Sequence, residues 1–563
     1  MGKLEILSLT SLALTACAST RPGSFAADLK SPFPPREALK ELSERPRPDT
    51  AKVLAERFLD VDHFDLVGML PDVLGSRPVE ATGPLIDLLV AAAARKPGLV
   101  TVGEDMNCVA RQIARFYLVH GKQPGSAFQT FVSARCGAPV ASFATFTVTG
   151  SMPAKMGDSE VVTQAHEHVE SSIEHALGSG ARILGGAIAR GESSLVIAIV
   201  AGERRAHLEV VPAVPVDGSV KIAGELLSQA SLVRALVTSG RFGVRDCTDR
   251  AAKLPAYHFD CPINPEDSSA YVQVYSLPPG RLLAFPVLTL LARKNGEAVA
   301  AYHRPVVALE GDTLDSKINA VRARAELPPL SFSVPESQIA TTLAPHFFAA
   351  MVGDTEATVA DEIALGLQAG WEIEGVVQYG SFSSAILAGS TDVDRFIHAA
   401  LELPMGRETL LDPRAAHLAV GMMELANDSG LAAVFSTYRP VRAEDHAALA
   451  QQVLDALNRR RQHPAKLLDV VRERAAELAN DVQRGKTSIE EATNDLARSA
   501  LSGGRSVRSW MFAVPELSQI PFPEELLGGE SAEIGAAVAV TRLPGQAWAT
   551  YLVVIVEPVS LDT

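Results

Sequence analysis

Leu403-Pro404-Met405-Gly406-Arg407-Glu408-Thr409-Leu410-Leu411-Asp412-Pro413, followed by Leu418-Ala419-Val420-Gly421-Met422, is the most legible stretch of this 563-residue chain. It reads as a short segment that stops at Asp-Pro and leads into closing strands. Upstream, Leu314-Asp315-Ser316-Lys317-Ile318-Asn319-Ala320-Val321-Arg322 reads as a helix, followed by Leu327-Pro328-Pro329-Leu330. A second helix is expected over Ile339 to Met351. Ala360-Asp361-Glu362-Ile363-Ala364-Leu365-Gly366 reads as an acidic turn.

In this order the pieces resemble the CAP domain of cysteine-rich secretory proteins, antigen 5 and plant PR-1, in its bacterial extracellular form. The resemblance covers about residues 310–440. It implies an α-β-α sandwich. It also implies a cleft of two His and two acidic residues able to hold a divalent metal. Here that cleft is degenerate. The family's His before the Arg is Gly406, so Arg407 stands without it and is expected in a structural ion pair. No His lies in Val352 to Thr355. Imidazole is the usual borderline-soft ligand, so no metal and no cofactor is expected. Asp361 and Glu362 remain as weak catalytic candidates, with His346 or His398 as possible partners.

Composition is that of an ordinary globular chain, 47% hydrophobic and 21% charged. The length implies several domains. A net charge of −15 argues against nucleic acid as partner. The run Arg459-Arg460-Arg461 reads as a solvated helix face.

Residues 1–17 read as an export signal. Ile6 to Ala16 is apolar but too short for a membrane span. Leu14-Thr15-Ala16-Cys17 resembles the bacterial lipobox, which makes Cys17 the acylated first residue of an exported, lipid-anchored protein, expected at the outer membrane. Plain secretory cleavage after Ala18 is the other reading. The remaining cysteines fall in two close pairs, Cys108 with Cys136 and Cys247 with Cys261. They are expected as disulfides in an oxidising compartment, with four buried thiols as the alternative.

The fold class expected is multidomain α+β, with CAP-like α-β-α units and an antiparallel, immunoglobulin-like β-sandwich. Residues 18–48, with Pro32, Pro34, Pro35, Pro46 and Pro48, read as a tether. Residues 49–205 read as helices closed by a hairpin over Ile183–Ala189 and Ser194–Val200. Short β-rich runs over 206–309 suggest the sandwich. Residues 441–563 read as helices, including Lys466 to Gln483 and a capping box at Ser488 and Glu491, before a last hairpin. Val109 to Tyr117 aligns with Ile339 to Phe347. Gly185-Gly186-Ala187 aligns with Ala419-Val420-Gly421, and Ile534 onward aligns with Leu418 onward, suggesting a repeat.

Other catalytic patterns are weak. His166, His168 and His175 cannot converge on one ion from a single helix without help, so a solvated face is favoured. Gly380-Ser381-Phe382-Ser383-Ser384 is the nearest approach to a nucleophile elbow and reads as a loop. The function expected is a non-catalytic cell-envelope lipoprotein, binding or scaffolding an unknown protein, lipid or envelope polymer. The alternatives are a CAP-like hydrolase, or a small-molecule or lipid binder using the central cleft.

Overall fold

The computed structural model describes residues 9–12, 36–68, 70–75, 77–79, 82–151, 156–178, 180–215, 217–250, 253–279, 283–294, 299–370, 376–441, 446–467, 491, 506–514, 516–541 and 548–559. The chain is a multidomain α+β protein built largely from antiparallel sheets. Three of those sheets repeat one strand order. In the first, Thr101–Val102 runs parallel to Ile183–Arg190, which forms a hairpin with Ser194–Gly202, which pairs with Phe143–Ser151. The central sheet places Ser331–Phe332, His417–Glu424, Gly430–Val441 and Val376–Ala388 in the same order. The last sheet does so with Lys466–Leu467, Glu533–Thr541, Thr550–Val559 and Ser506–Val514. Leu9–Leu12 adds an edge strand to the first sheet, against Phe143–Ser151.

The repetition extends to single hydrogen bonds. The short parallel strand opens by donating from Thr101 N to Arg182 O (3.0 Å), from Ser331 N to Ala416 O (2.9 Å) and from Lys466 N to Ala532 O (2.9 Å). In the first two units a long helix follows, Glu104–His120 and Val334–Met351. Each helix is tied to the hairpin by one polar side chain. Asn107 Oδ1 accepts from Gly186 N, and Ser337 Oγ accepts from Val420 N, both at 3.0 Å. In this register Val109 matches Ile339 and Gly186 matches Val420. Helix and strand come close enough that only glycine fits. A Cβ on Gly185 would lie 2.2 Å from the carbonyl carbon of Met106, and one on Gly421 2.2 Å from that of Ala340.

The central sheet is covered on both faces, as side-chain alternation along its strands requires. Ile386, Ala388, Ala432 and Val434 face the helices Val334–Met351 and Ala357–Gln368. Leu387, Leu431, Ala433 and Phe435 face Leu314–Arg324, Val393–Ala400 and Pro404–Leu411.

Between the first and central units lie two four-stranded antiparallel sheets around one shared core, which includes Ile222, Phe259, Val237 and Val272. Cys247 sits where the chain passes from Gly243–Asp246 in one sheet to Thr248–Asp249 in the other, and it is bonded to Cys261. Cys108, in a long helix, is bonded to Cys136 at the end of Ser126–Arg135.

Several sequence expectations are corrected. Residues 36–44 form a helix, not a tether, and Thr50–Arg57 forms a second. Leu39, Leu42, Leu54 and Phe58 are buried in the core of the central unit, not in a domain of residues 49–205. Pro46 and Pro48 lie between these helices, while Pro32, Pro34 and Pro35 lie outside the described residues. Ala301–His303 pairs with His63–Asp65, so the segment after the sandwich returns to the beginning of the chain. Gly380–Ser384 lies inside the strand Val376–Ala388, and Asp361 lies inside a helix rather than a turn. Lys466–Leu467 is a strand. The rest of the helix expected there, and Ser488, lie outside the described residues. Among the described residues no helix is long and apolar enough to cross a membrane.

Candidate functional site

The motif residues that open the central unit have structural work. Asn319 Nδ2 donates to Leu330 O (3.0 Å) and its Oδ1 accepts from Leu330 N (2.8 Å). Arg322 is fully buried and donates to the carbonyls of Pro328, Leu410 and Asp412 at 2.7–3.2 Å. A planar, permanently charged fork can satisfy three carbonyls on two separate chain segments at once.

The acidic pair lies on one covered face of the central sheet. Asp361 is buried in Ala357–Gln368, and Glu362 beside it is half-buried. Burial raises the Glu362 pKa above its ordinary value, while Arg45 pulls it down. His346, also buried, has its pKa lowered by burial and by Arg45 and Arg47, which favours the neutral ring. These arginines follow the helix Arg36–Glu44, which is packed across this face. A Cβ on Gly366 would meet Leu39 Cδ1 at 2.1 Å. The apolar groove expected here is thus filled by the chain's own residues. His398 belongs to the opposite face. Its helix packs there through Phe396 and Ile397, and its ring lies 5.6 Å from Phe242. His398 Nε2 lies 3.0 Å from Val307 O and 3.1 Å from Val307 N. Asp361 and His398 are therefore separated by the sheet. Among the described residues, no group of three or more His, Cys, Asp or Glu could hold a metal ion.

On that opposite face lies a cavity of about 350 Å³, where the sandwich, the first unit and the central unit meet. Phe131 reaches it from the first unit, Tyr271 and Arg241 from the sandwich, and His398, Glu402 and Arg407 from the central unit. Glu402 Oε2 accepts from Arg304 Nε (2.9 Å) and from the Tyr302 hydroxyl (3.0 Å). Arg304 also lies 3.6 Å from Asp60 Oδ1. Asp60 in turn accepts from Ala388 N through Oδ2 (2.8 Å). Burial raises the Asp60 pKa although Arg304 opposes it. Burial works against the charge on Arg304, but Glu402, Tyr302 and Asp60 outweigh it and hold its pKa above the usual value. Arg407, expected in an ion pair, instead donates to three carbonyls: Leu401 (2.7 Å), Gly240 (3.1 Å) and Gly243 (2.7 Å). Burial lowers its pKa to about 10.

The remaining sequence candidates disperse. His166 faces Glu170 at 3.6 Å, and His175 packs edge-on against Phe146. The Arg459–Arg461 run does not present one face. Arg461 is buried, with Nη2 2.5 Å from Glu557 Oε1, while Arg460 lies over Phe522. Cys17 lies outside the described residues. Asp60, Arg304 and Glu402 carry no motif, and only their three-dimensional meeting marks them.

Fold and site together define a multidomain α+β protein with two disulfides and a charged cavity at a three-way junction. No family model matches the chain, and no curated protein matches it. Among solved structures it is similar to a cysteine-rich secretory protein from Staphylococcus aureus subsp. aureus Mu50. The two are 10% identical, over 46% of this chain and 85% of that one, with a TM-score of 0.17.

Proposed function

We propose that this is an exported, lipid-anchored protein of the bacterial cell envelope that binds or scaffolds and has no catalytic role of its own. The observation that carries this reading is the covered helical face of the central unit. Asp361, Glu362 and His346 lie under the protein's own residues 36–59, and His398 lies across the sheet. Acid–base catalysis needs a base within hydrogen-bond reach of a substrate proton, and burial of Asp361 and His346 works against that reach. Two disulfides suit an oxidising compartment. Acylation of Cys17 would supply the membrane attachment, and cleavage before it would remove Leu9–Leu12, leaving Phe143–Ser151 as the sheet edge.

Calorimetric titration of the full chain with zinc tests the non-catalytic half, because a ligand of the folded state must also raise the melting temperature. No heat and no shift are expected. Micromolar uptake that disappears in Asp361→Ala would restore the enzyme reading. Fractionation of cells producing wild type and Cys17→Ala tests the anchor. The wild type is expected with membranes and the variant in the soluble fraction; equal partitioning refutes lipidation.

A further inference from the structure

The geometry points to the junction cavity as a binding site for a small organic anion, recognised through a carboxylate or phosphate group by Arg407 and Arg241. Three guanidinium groups, Arg241, Arg304 and Arg407, border the cavity, against the single carboxylate of Glu402. That carboxylate is already engaged by Arg304 and Tyr302. Arg407 is nine-tenths buried, yet all its hydrogen-bond partners among the described residues are carbonyls, reached through Nε and Nη1. Carbonyl dipoles orient a buried cation but do not neutralise it. Asp267 and Glu402 lie close enough to favour its charge, but neither bonds it directly, and burial without a contacting carboxylate is costly. Nη2 is left for a ligand. Arg241 sits at the exposed rim, its guanidinium over the Phe242 ring, where it can meet an incoming anion.

Size narrows the class. About 350 Å³ lies at the lower end of small-molecule sites. That suits a single metabolite-sized acid. Phe131, Tyr271 and Tyr302 supply apolar wall for its carbon frame. His398 has its pKa lowered by burial, so at neutral pH the ring is uncharged and serves as wall rather than as a second cation. This inference stands apart from the envelope reading, because it concerns a different face of the central unit.

Calorimetry and thermal melts on the full chain, with inorganic phosphate and with succinate at ionic strength matched by sodium chloride, test it. Saturable binding with a rising melting temperature is expected from at least one probe. Phosphate alone saturating identifies a phosphate-bearing ligand, and succinate alone a carboxylate-bearing one. Arg407→Lys keeps the charge but loses the fork, and is expected to weaken binding at least about tenfold, the size of a lost hydrogen bond to a charged group. Since Arg407 also joins the central unit to the sandwich, Arg241→Gln at the rim is the second variant, expected to weaken binding without altering the melt of the free protein. Arg190→Gln on the first sheet is the control and leaves binding unchanged. No saturable signal from either probe, or equal binding by wild type and Arg241→Gln, overturns the proposal.

Discussion

Asp105 is a residue whose ionisation limits stability. It is fully buried at the start of Glu104–His120. Burial raises its pKa from 3.8 to about 6, although Arg204 and Arg77 act to lower it. The folded pKa lies above the unfolded one, so its contribution to stability is fully present below pH 4 and is lost as pH rises through 6. A shift of this size corresponds to about 3 kcal/mol. Asp105→Asn is therefore expected to melt higher than wild type at pH 7.5, with the difference vanishing near pH 4; melts across that range check it. Asn319 and Arg322 show what a sequence reveals at this scale. They stand out in the motif that suggested the central unit, and their hydrogen bonds to Leu330 and Pro328 explain why that motif needs them. Arg407 belongs to the same motif, but its partners lie in the sandwich, and no local pattern encodes Gly240 or Gly243. Asp60, Arg304 and Glu402 were illegible for the same reason, being far apart in the chain and joined only by the fold.

Helices and strands were legible where their periodicity was strong. The hairpin Ile183–Arg190 with Ser194–Gly202 and the helix Glu104–His120 follow from apolar spacing. The stretches set side by side in the sequence, Val109 with Ile339 and Gly186 with Val420, occupy matching positions in the hydrogen-bond register. Misreadings came where composition outweighed pattern. The Pro-rich stretch hid the helix Arg36–Glu44, whose buried leucines are only Leu39 and Leu42. Ser-rich Gly380–Ser384 concealed the middle of a long strand. At this scale the Cys108–Cys136 bond matters most, because it fixes the end of Ser126–Arg135 against the longest helix of the first unit. It closes 28 residues, and chain-entropy arguments assign such a loop about 3.5 kcal/mol. The Cys108→Ala, Cys136→Ala double variant is expected to lose about that much, read by denaturant unfolding of the first unit. A loss below about 1 kcal/mol would mean that packing alone holds the two helices.

Across the whole molecule the units are tied by buried charge. Asp60 comes from the start of the chain, Arg304 from the segment after the sandwich and Glu402 from the central unit. Arg234 extends the linkage, bonding Asp246 in the sandwich and Glu408 in the central unit. Arg304→Met would leave two carboxylates buried beside each other, at a cost on the order of 3–5 kcal/mol. Neutralising all three positions, as Asp60→Asn, Arg304→Met and Glu402→Gln together, is expected to recover most of that loss. Denaturant titration of both variants checks the prediction, and an equal loss in the triple variant would show that the cost does not arise from unpaired charge.

Helices 36–44 and 50–57 complete a core whose other members lie hundreds of residues later. Leu39 has to wait for Gly366 to be made. At a synthesis rate of about 5–20 residues per second, that interval is roughly 15–60 s. During it Leu39, Leu42, Leu54 and Phe58 lack the central-unit residues that complete their core. Helices 36–44 and 50–57 therefore cannot settle into their native core until the central unit has been made.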